Sequence, residues 1–294
     1  MFSKVLFATD LSPASDRALE CLASWKAWGL AEVTVSHVHA IRYGGGASGL
    51  EDQLRADHEP KLERQVKRLE AHGLEASWRL DFGVPYLELE RIARERGADA
   101  VVIGSHGSSW IKEIWLGSVA DAILRHMTLP VLVIKANLLA EIPLEQCTGF
   151  CNSIFGKVLL ATDFSPATSG AVNLVHQLAR RFAIEVRLVH VQEHSRIFPH
   201  LASRLEEFNR EDTHRLEALA EELRQLGASQ VSYELRTDHP VRGLLASIVE
   251  WEPRLVIVGR YGRSGIMGRL IGSTSHAVAR DSRAPVLVVP SKEA

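Results

Sequence analysis

Short apolar runs alternate with amphipathic stretches along the whole chain. Val5-Leu6-Phe7-Ala8-Thr9 is the first run and predicts a buried strand over 5–9. Ser12-Pro13 then opens a helix that Gly29 closes. A second strand is predicted over 33–38. A glycine-rich stretch from Tyr43 to Gly49 leads into a long helix over about 50–72, stopped by Gly73. A third strand (76–80), a helix opened by Pro85, and a fourth strand (100–103) follow. A Gly-Ser loop over 104–109 precedes a helix over about 118–126 and a fifth strand over 131–134. Near-continuous apolar strands separated by helices predict a parallel sheet covered on both faces. Right-handed crossovers make that sheet doubly wound.

The order of elements then starts again. Lys4-Val5-Leu6-Phe7-Ala8-Thr9-Asp10-Leu11-Ser12-Pro13-Ala14 aligns with Lys157-Val158-Leu159-Leu160-Ala161-Thr162-Asp163-Phe164-Ser165-Pro166-Ala167, with nine of eleven pairs identical. His37-Val38 and His190-Val191 align at the same offset of 153. Gly104-x-x-Gly107 and Gly259-x-x-Gly262 align at 155, as do the two Pro-Val-Leu-Val strands. Strands in the second copy are predicted near 158–162, 186–191, 231–235, 255–258 and 286–289. A repeat this long is a duplicated domain rather than a solenoid unit of about 20–50 residues. The expected organisation is a first domain over 1–136, a linker over 137–156 and a second domain over 157–294.

Five strands of order 3-2-1-4-5 have their switch point between the first and fourth strands, where ligands bind at the carboxyl ends. That topology sets Asp10 beside Gly104 and Gly107, and Asp163 beside Gly259 and Gly262. Each glycine pair is followed after nine residues by a second signal, Gly117-Ser118 in one copy and Gly272-Ser273-Thr274 in the other. Glycines let the backbone turn and approach a ligand closely. The later Gly-Ser opens a helix whose free N–H groups and dipole favour an anion, with serine as cap or phosphate partner. The plainer reading is a set of loop and cap glycines, but the same spacing after the same strand twice favours a phosphate cradle. The second copy adds Arg260, Arg263 and Arg269, where the first has no arginine over 104–117. Arginine adds charge-assisted bonds to phosphate, so the second site is expected to bind more tightly.

Two copies of Ala-Thr-Asp-x-Ser-Pro, each followed by this glycine motif and by Pro-Val-Leu-Val, resemble the universal stress protein family in its tandem, nucleotide-binding form. The resemblance covers nearly all of the chain outside the linker. It implies two α/β domains of that strand order, each holding ATP or a related adenine nucleotide (ADP, AMP), with a divalent metal such as Mg2+ on the phosphates. It also implies that Asp10 and Asp163 accept from ribose hydroxyls, against the plainer reading of turn and helix caps. Val38 and Val191 would lie against adenine, and Gly107, Gly117, Ser118, Gly262, Arg263, Gly272, Ser273 and Thr274 would line the phosphates. Family dimers pair through the last strand of each domain. Strands 131–134 and 286–289 would therefore join the two copies as an internal pseudo-dimer, removing an apolar edge.

Composition narrows the choice of function. Apolar residues make up 46% of the 294 and the formal net charge is −2, so no broad basic field exists for nucleic acid. No apolar run reaches the roughly 18–20 residues of a membrane span, and the N-terminus lacks the pattern of a secretion signal. Three cysteines do not make a disulfide framework and fit a reducing cytoplasm. Cys147 and Cys151 stay open as metal ligands with His194 or His200, as redox-labile thiols, or as neither. His37 and His190 read as packed strand histidines, since no acidic partner is placed beside them in the sequence. The charged helix over 201–226 reads as a solvated face. The expected function is a cytoplasmic stress-response module that binds adenine nucleotide, with a homodimer and a further protein partner as its assemblies. Its alternatives are a slow ATPase or autophosphorylating enzyme, and a nucleotide-independent scaffold.

Overall fold

The computed structural model describes residues 2–40, 48–105, 116–135, 151–193, 204–262 and 271–291. The chain divides into two compact units, Met1–Asn152 and Ser153–Ala294. The first holds β1 (Lys4–Ala8), α1 (Pro13–Ser24), a 3-10 turn (Trp25–Trp28), β2 (Glu32–Ala40), α2 (Ser48–Ala71), β3 (Glu75–Gly83), α3 (Pro85–Glu95), β4 (Ala100–Gly104), α4 (Ser118–His126) and β5 (Val131–Ile134). Its strands run β3-β2-β1-β4-β5, all parallel. The second holds β6 (Lys157–Ala161), a 3-10 turn (Pro166–Thr168), α5 (Ser169–Arg181), β7 (Glu185–Glu193), α6 (Leu205–Gln225), β8 (Gln230–Asp238), α7 (Pro240–Trp251), β9 (Leu255–Gly259), α8 (Ser273–Asp281) and β10 (Val286–Val289). Its strands run β8-β7-β6-β9-β10, again all parallel. Each unit is thus the doubly wound sheet of order 3-2-1-4-5 that the sequence pattern predicts.

The central strands bury both faces, as their unbroken apolar runs require. Leu6, Phe7, Val101 and Val102 pack the first core, and Leu159, Leu160, Val256 and Ile257 the second. The outer strands β2, β3, β7 and β8 extend beyond the predicted runs at their ends. Those ends carry polar residues such as His39 and Glu193, which pair in the sheet without an apolar signal.

The helix starts follow local chemistry. Ser12 caps α1 by accepting from the Ser15 amide at 3.2 Å, and Pro13 stands in the first turn. Gly29 ends the following 3-10 turn at φ 96°, a left-handed conformation suited to glycine. In the second unit Gly170 lies under the strand end after β10. A Cβ there would stand 2.1 Å from the Pro290 carbonyl oxygen, so the helix approaches only because no side chain intervenes.

One expectation is overturned in this region. Cys21 on α1 is disulfide-bonded to Cys151, across a sequence separation of 130. Cys151 is therefore no thiol ligand beside Cys147. The pairing was invisible in the sequence because the only close spacing is Cys147 with Cys151, and the fold alone brings Cys21 to Cys151. Trp28 strengthens the same tie, donating from Nε1 to the Asn152 carbonyl at 2.8 Å. Cys147, His194 and His200 lie outside the described residues.

Candidate functional site

The two copies build the same structure after their first strand. Thr9 and Thr162 directly follow β1 and β6, and the next residue is the aspartate. Asp10 Oδ1 accepts from the Ser12 amide at 3.1 Å, from the Ser12 hydroxyl at 2.6 Å and from the Ser15 hydroxyl. Asp163 Oδ1 accepts from the Ser165 amide at 3.0 Å and hydroxyl at 2.6 Å, with Thr168 Oγ1 at 3.5 Å. Both aspartates therefore do cap the turn into the helix. In Asp10 the capping falls to one carboxylate oxygen. Asp10 Oδ2 is buried and meets no hydrogen-bond partner among the described residues. A buried carboxylate oxygen left in this state is costly unless a donor arrives.

The backbone at this point is unusual in both copies. Leu11 has φ 62° and Phe164 φ 57°, a conformation that non-glycine residues seldom adopt. The strand threonine supports it: Thr9 Oγ1 accepts from the Leu11 amide at 3.0 Å, and Thr162 Oγ1 from the Phe164 amide at 3.1 Å. Strain of this kind held by neighbours clusters at binding sites.

The glycine motif surrounds the carboxylate in the second unit. A Cβ on Gly262 would stand 2.9 Å from Asp163 Oδ2, so glycine is what lets the turn reach the acid. Gly259 does different work. A Cβ there would meet Thr168 Cγ2 at 3.0 Å and the Ala167 carbonyl at 3.1 Å, so its role is packing of the turn before α5. The Gly272 amide donates to the Arg260 carbonyl at 2.8 Å, and the Gly117 amide to Ser105 at 2.9 Å. Those two amides close the loop and are spent. The open donors come next. Gly117 and Gly272 are the caps of α4 and α8, and neither helix has a side-chain cap. The first helical bonds run from Asp121 to Gly117 (2.8 Å) and from His276 to Gly272 (2.9 Å). The amides of Ser118–Ala120 and Ser273–Ser275 thus precede any intrahelical acceptor. Ser118 and Ser273 are first helical residues rather than caps, which corrects one of the two roles read for serine.

A cavity of about 550 Å³ brings these parts together in the second unit. Asp163, Val191, Gly259, Gly262, Gly272, Ser273 and Thr274 all line it, and seven of the eight residues predicted for that copy are so placed. The eighth, Arg263, lies outside the described residues, as do Gly107, Ser108, Trp115 and Arg269. In the first unit Asp10 and Gly104 follow the paired ends of β1 and β4, with Ala8 opposite Ile103. Val38 sits near the end of β2, opposite Asp81.

The same construction has solved and sequenced relatives. The family model for the universal stress protein family matches residues 1–135 and again 155–290. The chain belongs to the universal stress protein family. A universal stress protein of Methanocaldococcus jannaschii is 30% identical over 155 residues, 46% of this chain and 96% of its own. One from Mycolicibacterium smegmatis is 27% identical over 303 residues and spans 97% of this chain and 96% of its own, so it too has room for two copies. The crystal structure of a universal stress protein from Archaeoglobus fulgidus superposes with a TM-score of 0.77 at 25% identity, covering 98% of both chains. The tandem organisation is shared across that full length.

Several features of this universal stress protein escaped the sequence. Phe208, Glu211, Asp212 and Arg215 of α6 line the cavity, so that helix is not merely a solvated face. Asp212, Leu216, Ala220 and Leu223 are buried at helical spacing, and an acid in that apolar seam was the available signal. Asp212 also corrects the reading of His190. Its Oδ2 lies 3.4 Å from His190 Nε2 and accepts from Gln192 Nε2 at 2.9 Å, so an acidic partner is present. The hydrogen-bonded strand role holds for both histidines: His37 Nδ1 donates to Thr9 O at 2.9 Å and His190 Nδ1 to Thr162 O at 2.7 Å. Burial holds His37 and His58 below the ordinary imidazole range.

Asp99 and Arg254, where the copies differ, each precede a central strand of their own unit. Asp99 precedes β4 and clasps the start of β1, accepting on Oδ2 from the Ser3 amide (2.7 Å), the Ser3 hydroxyl (2.9 Å) and the Lys4 amide (2.9 Å). These are amino ends of strands, so neither residue shapes the ligand rim. Pro240, the counterpart of Pro85 in the first copy, does line the cavity.

Proposed function

We propose that this chain is a stress-response module that binds adenine nucleotide, ATP foremost, in each of its two copies, and that it regulates rather than catalyses. The observation that carries this reading is the cavity of about 550 Å³ in which Asp163, Gly262 and the open start of α8 converge. That volume falls within the roughly 300–1,000 Å³ of small-molecule sites. Asp163 would accept from the ribose hydroxyls with the oxygen that faces Gly262. The Ser273–Ser275 amides and the α8 dipole would hold phosphate. Val191 would lie against the base. A divalent cation would travel on the phosphates, and the Ser273 and Thr274 hydroxyls are oxygen donors of the class such ions take.

The enzyme reading has less support. Two acids and the one arginine of the described lining are already engaged: Asp212 with His190, and Arg215 with Glu211 and Asp212. A purified sample, denatured and separated by chromatography, is expected to release an adenine nucleotide. Gly262→Ala is expected to cut the released amount and to weaken ATP binding in the second copy by about tenfold or more, because the added methyl displaces the carboxylate. No nucleotide in the purified chain together with no binding on titration with Mg-ATP would sink the proposal and favour a scaffold. Phosphate release that disappears in the same variant would favour the ATPase.

A further inference from the structure

The first copy carries a side-chain cluster that the nucleotide reading does not use. His37 and His39 alternate along β2 and so share one face of the strand, and His58 reaches them from α2. One ring nitrogen from each lies within 4.8 Å of the others. The His37 and His58 rings meet edge to face at 4.8 Å between centroids, and His39 lies 5.9 Å from His58. We propose that His37, His39 and His58 form a binding site for a divalent transition-metal ion of the zinc class, separate from any cation carried on a nucleotide.

The hydrogen bonds orient the rings for this purpose. A carbonyl only accepts, so His37 Nδ1 must carry the proton it shares with Thr9 O at 2.9 Å, which leaves Nε2 as its lone-pair nitrogen. His58 is anchored from its other side. Its Nε2 stands 3.4 Å from the Asp57 carboxylate, and its Nδ1 is buried with no hydrogen-bond partner among the described residues. The His37 and His58 rings thus each have one nitrogen engaged and the other open. Metal-binding histidines are arranged in this way, with a carbonyl or carboxylate fixing the tautomer from behind. Asp57 also accepts from Lys61 Nζ at 2.7 Å, which holds its carboxylate in place.

Donor type selects the metal. Imidazole nitrogen suits zinc, copper, nickel and iron, whereas magnesium and calcium prefer oxygen. Three histidines leave a fourth tetrahedral position for water or a ligand oxygen. Zinc–nitrogen bonds of about 2.0–2.1 Å set the donors roughly 3.3 Å apart, so closure needs ring movements of only about 1–1.5 Å. The second copy makes the contrast. Gln192 replaces His39 at the equivalent strand position, and α6 offers Asp212, which Gln192 and His190 already engage. That copy closes the same space with hydrogen bonds.

The test uses the untagged full chain, stripped of metal by EDTA and free of nucleotide, titrated calorimetrically with zinc chloride. One zinc per chain is expected, with cobalt giving the visible absorption of a nitrogen-ligated ion at the same stoichiometry. His39→Gln borrows the residue of the second copy and is expected to fold normally; it and His58→Ala should each weaken zinc binding more than tenfold. His72→Ala, on an exposed histidine at the far end of the same segment, should leave it unchanged. Excess magnesium should not compete. Absence of stoichiometric zinc binding would overturn the proposal, as would zinc affinity unchanged in His39→Gln and His58→Ala, or equal competition by magnesium. None of these outcomes depends on whether the chain binds nucleotide.

Discussion

The two oxygens of Asp10, the aspartate after the first strand, are in different states. In the first copy Oδ1 organises the turn through Ser12 and Ser15, while Oδ2 stays buried and unmatched. The left-handed backbone at Leu11 is part of the same device, since it turns the chain away while the carboxylate stays at the crevice. An isosteric change separates the tasks. Asp10→Asn keeps a carbonyl oxygen for Ser12 and Ser15 but replaces the other oxygen with a donor. ATP affinity of the first copy, measured with the second silenced by Gly262→Ala, is expected to fall about 10- to 100-fold, the worth of a hydrogen bond to a charged group. The melting temperature should change little. Undiminished affinity in Asp10→Asn would remove ribose from the account of that residue.

Elements built on apolar runs were the legible part of this fold. The strands β5 and β10 match their predicted spans residue for residue, and α4 does as well, because buried parallel strands and capped helices leave local signals. Pairings across long distances left none. Cys21 with Cys151, His58 with His37, and Asp212 with His190 are contacts that only the crossovers create. The clasp between Asp99 and the start of β1 belongs to the same class, and it carries a pH signature. Partial burial works against the charged form, but the Lys4 and Ser3 amides and the Ser3 hydroxyl outweigh it and hold the carboxyl below its ordinary range. With the folded value below the unfolded value of about 3.9, its contribution is complete above that value. It is lost as pH falls through the unfolded and then the folded value. Asp99→Asn is therefore expected to lose roughly 0.5–1 kcal/mol near neutral pH, a small loss because the clasp faces solvent, and to flatten the acid limb of stability below about pH 4. Denaturant midpoints across that range check it; parallel curves for the two proteins would contradict the assignment.

The whole molecule carries a formal net charge of −2, so neither copy attracts an anion through a general positive field. What each copy offers phosphate is local, and the copies differ there. The first turn of α4 contains Asp121, engaged with Arg125 at 2.8 Å, whereas the first turn of α8 contains no acid. His276 stands in α8 where α4 has Asp121. An acid at the start of a helix opposes a bound anion, and removing it is worth about 0.3–1 kcal/mol. Arg263 and Arg269 of the second glycine loop would act in the same direction, since the first loop has Ser108 and Ile114 at those places. The sites are thus expected to be unequal, the second being the tighter. Gly117→Val leaves the second site to be measured alone, and Gly272→Val leaves the first. ATP should bind the Gly117→Val protein at least about two- to fivefold more tightly than the Gly272→Val protein, with one site per chain in each. Asp121→Ser, added to Gly272→Val, should recover part of that gap by freeing the α4 start of its acid. Equal affinities in the two glycine variants would refute the asymmetry. Unequal affinities that Asp121→Ser fails to narrow would place its source in the arginines of the second loop alone.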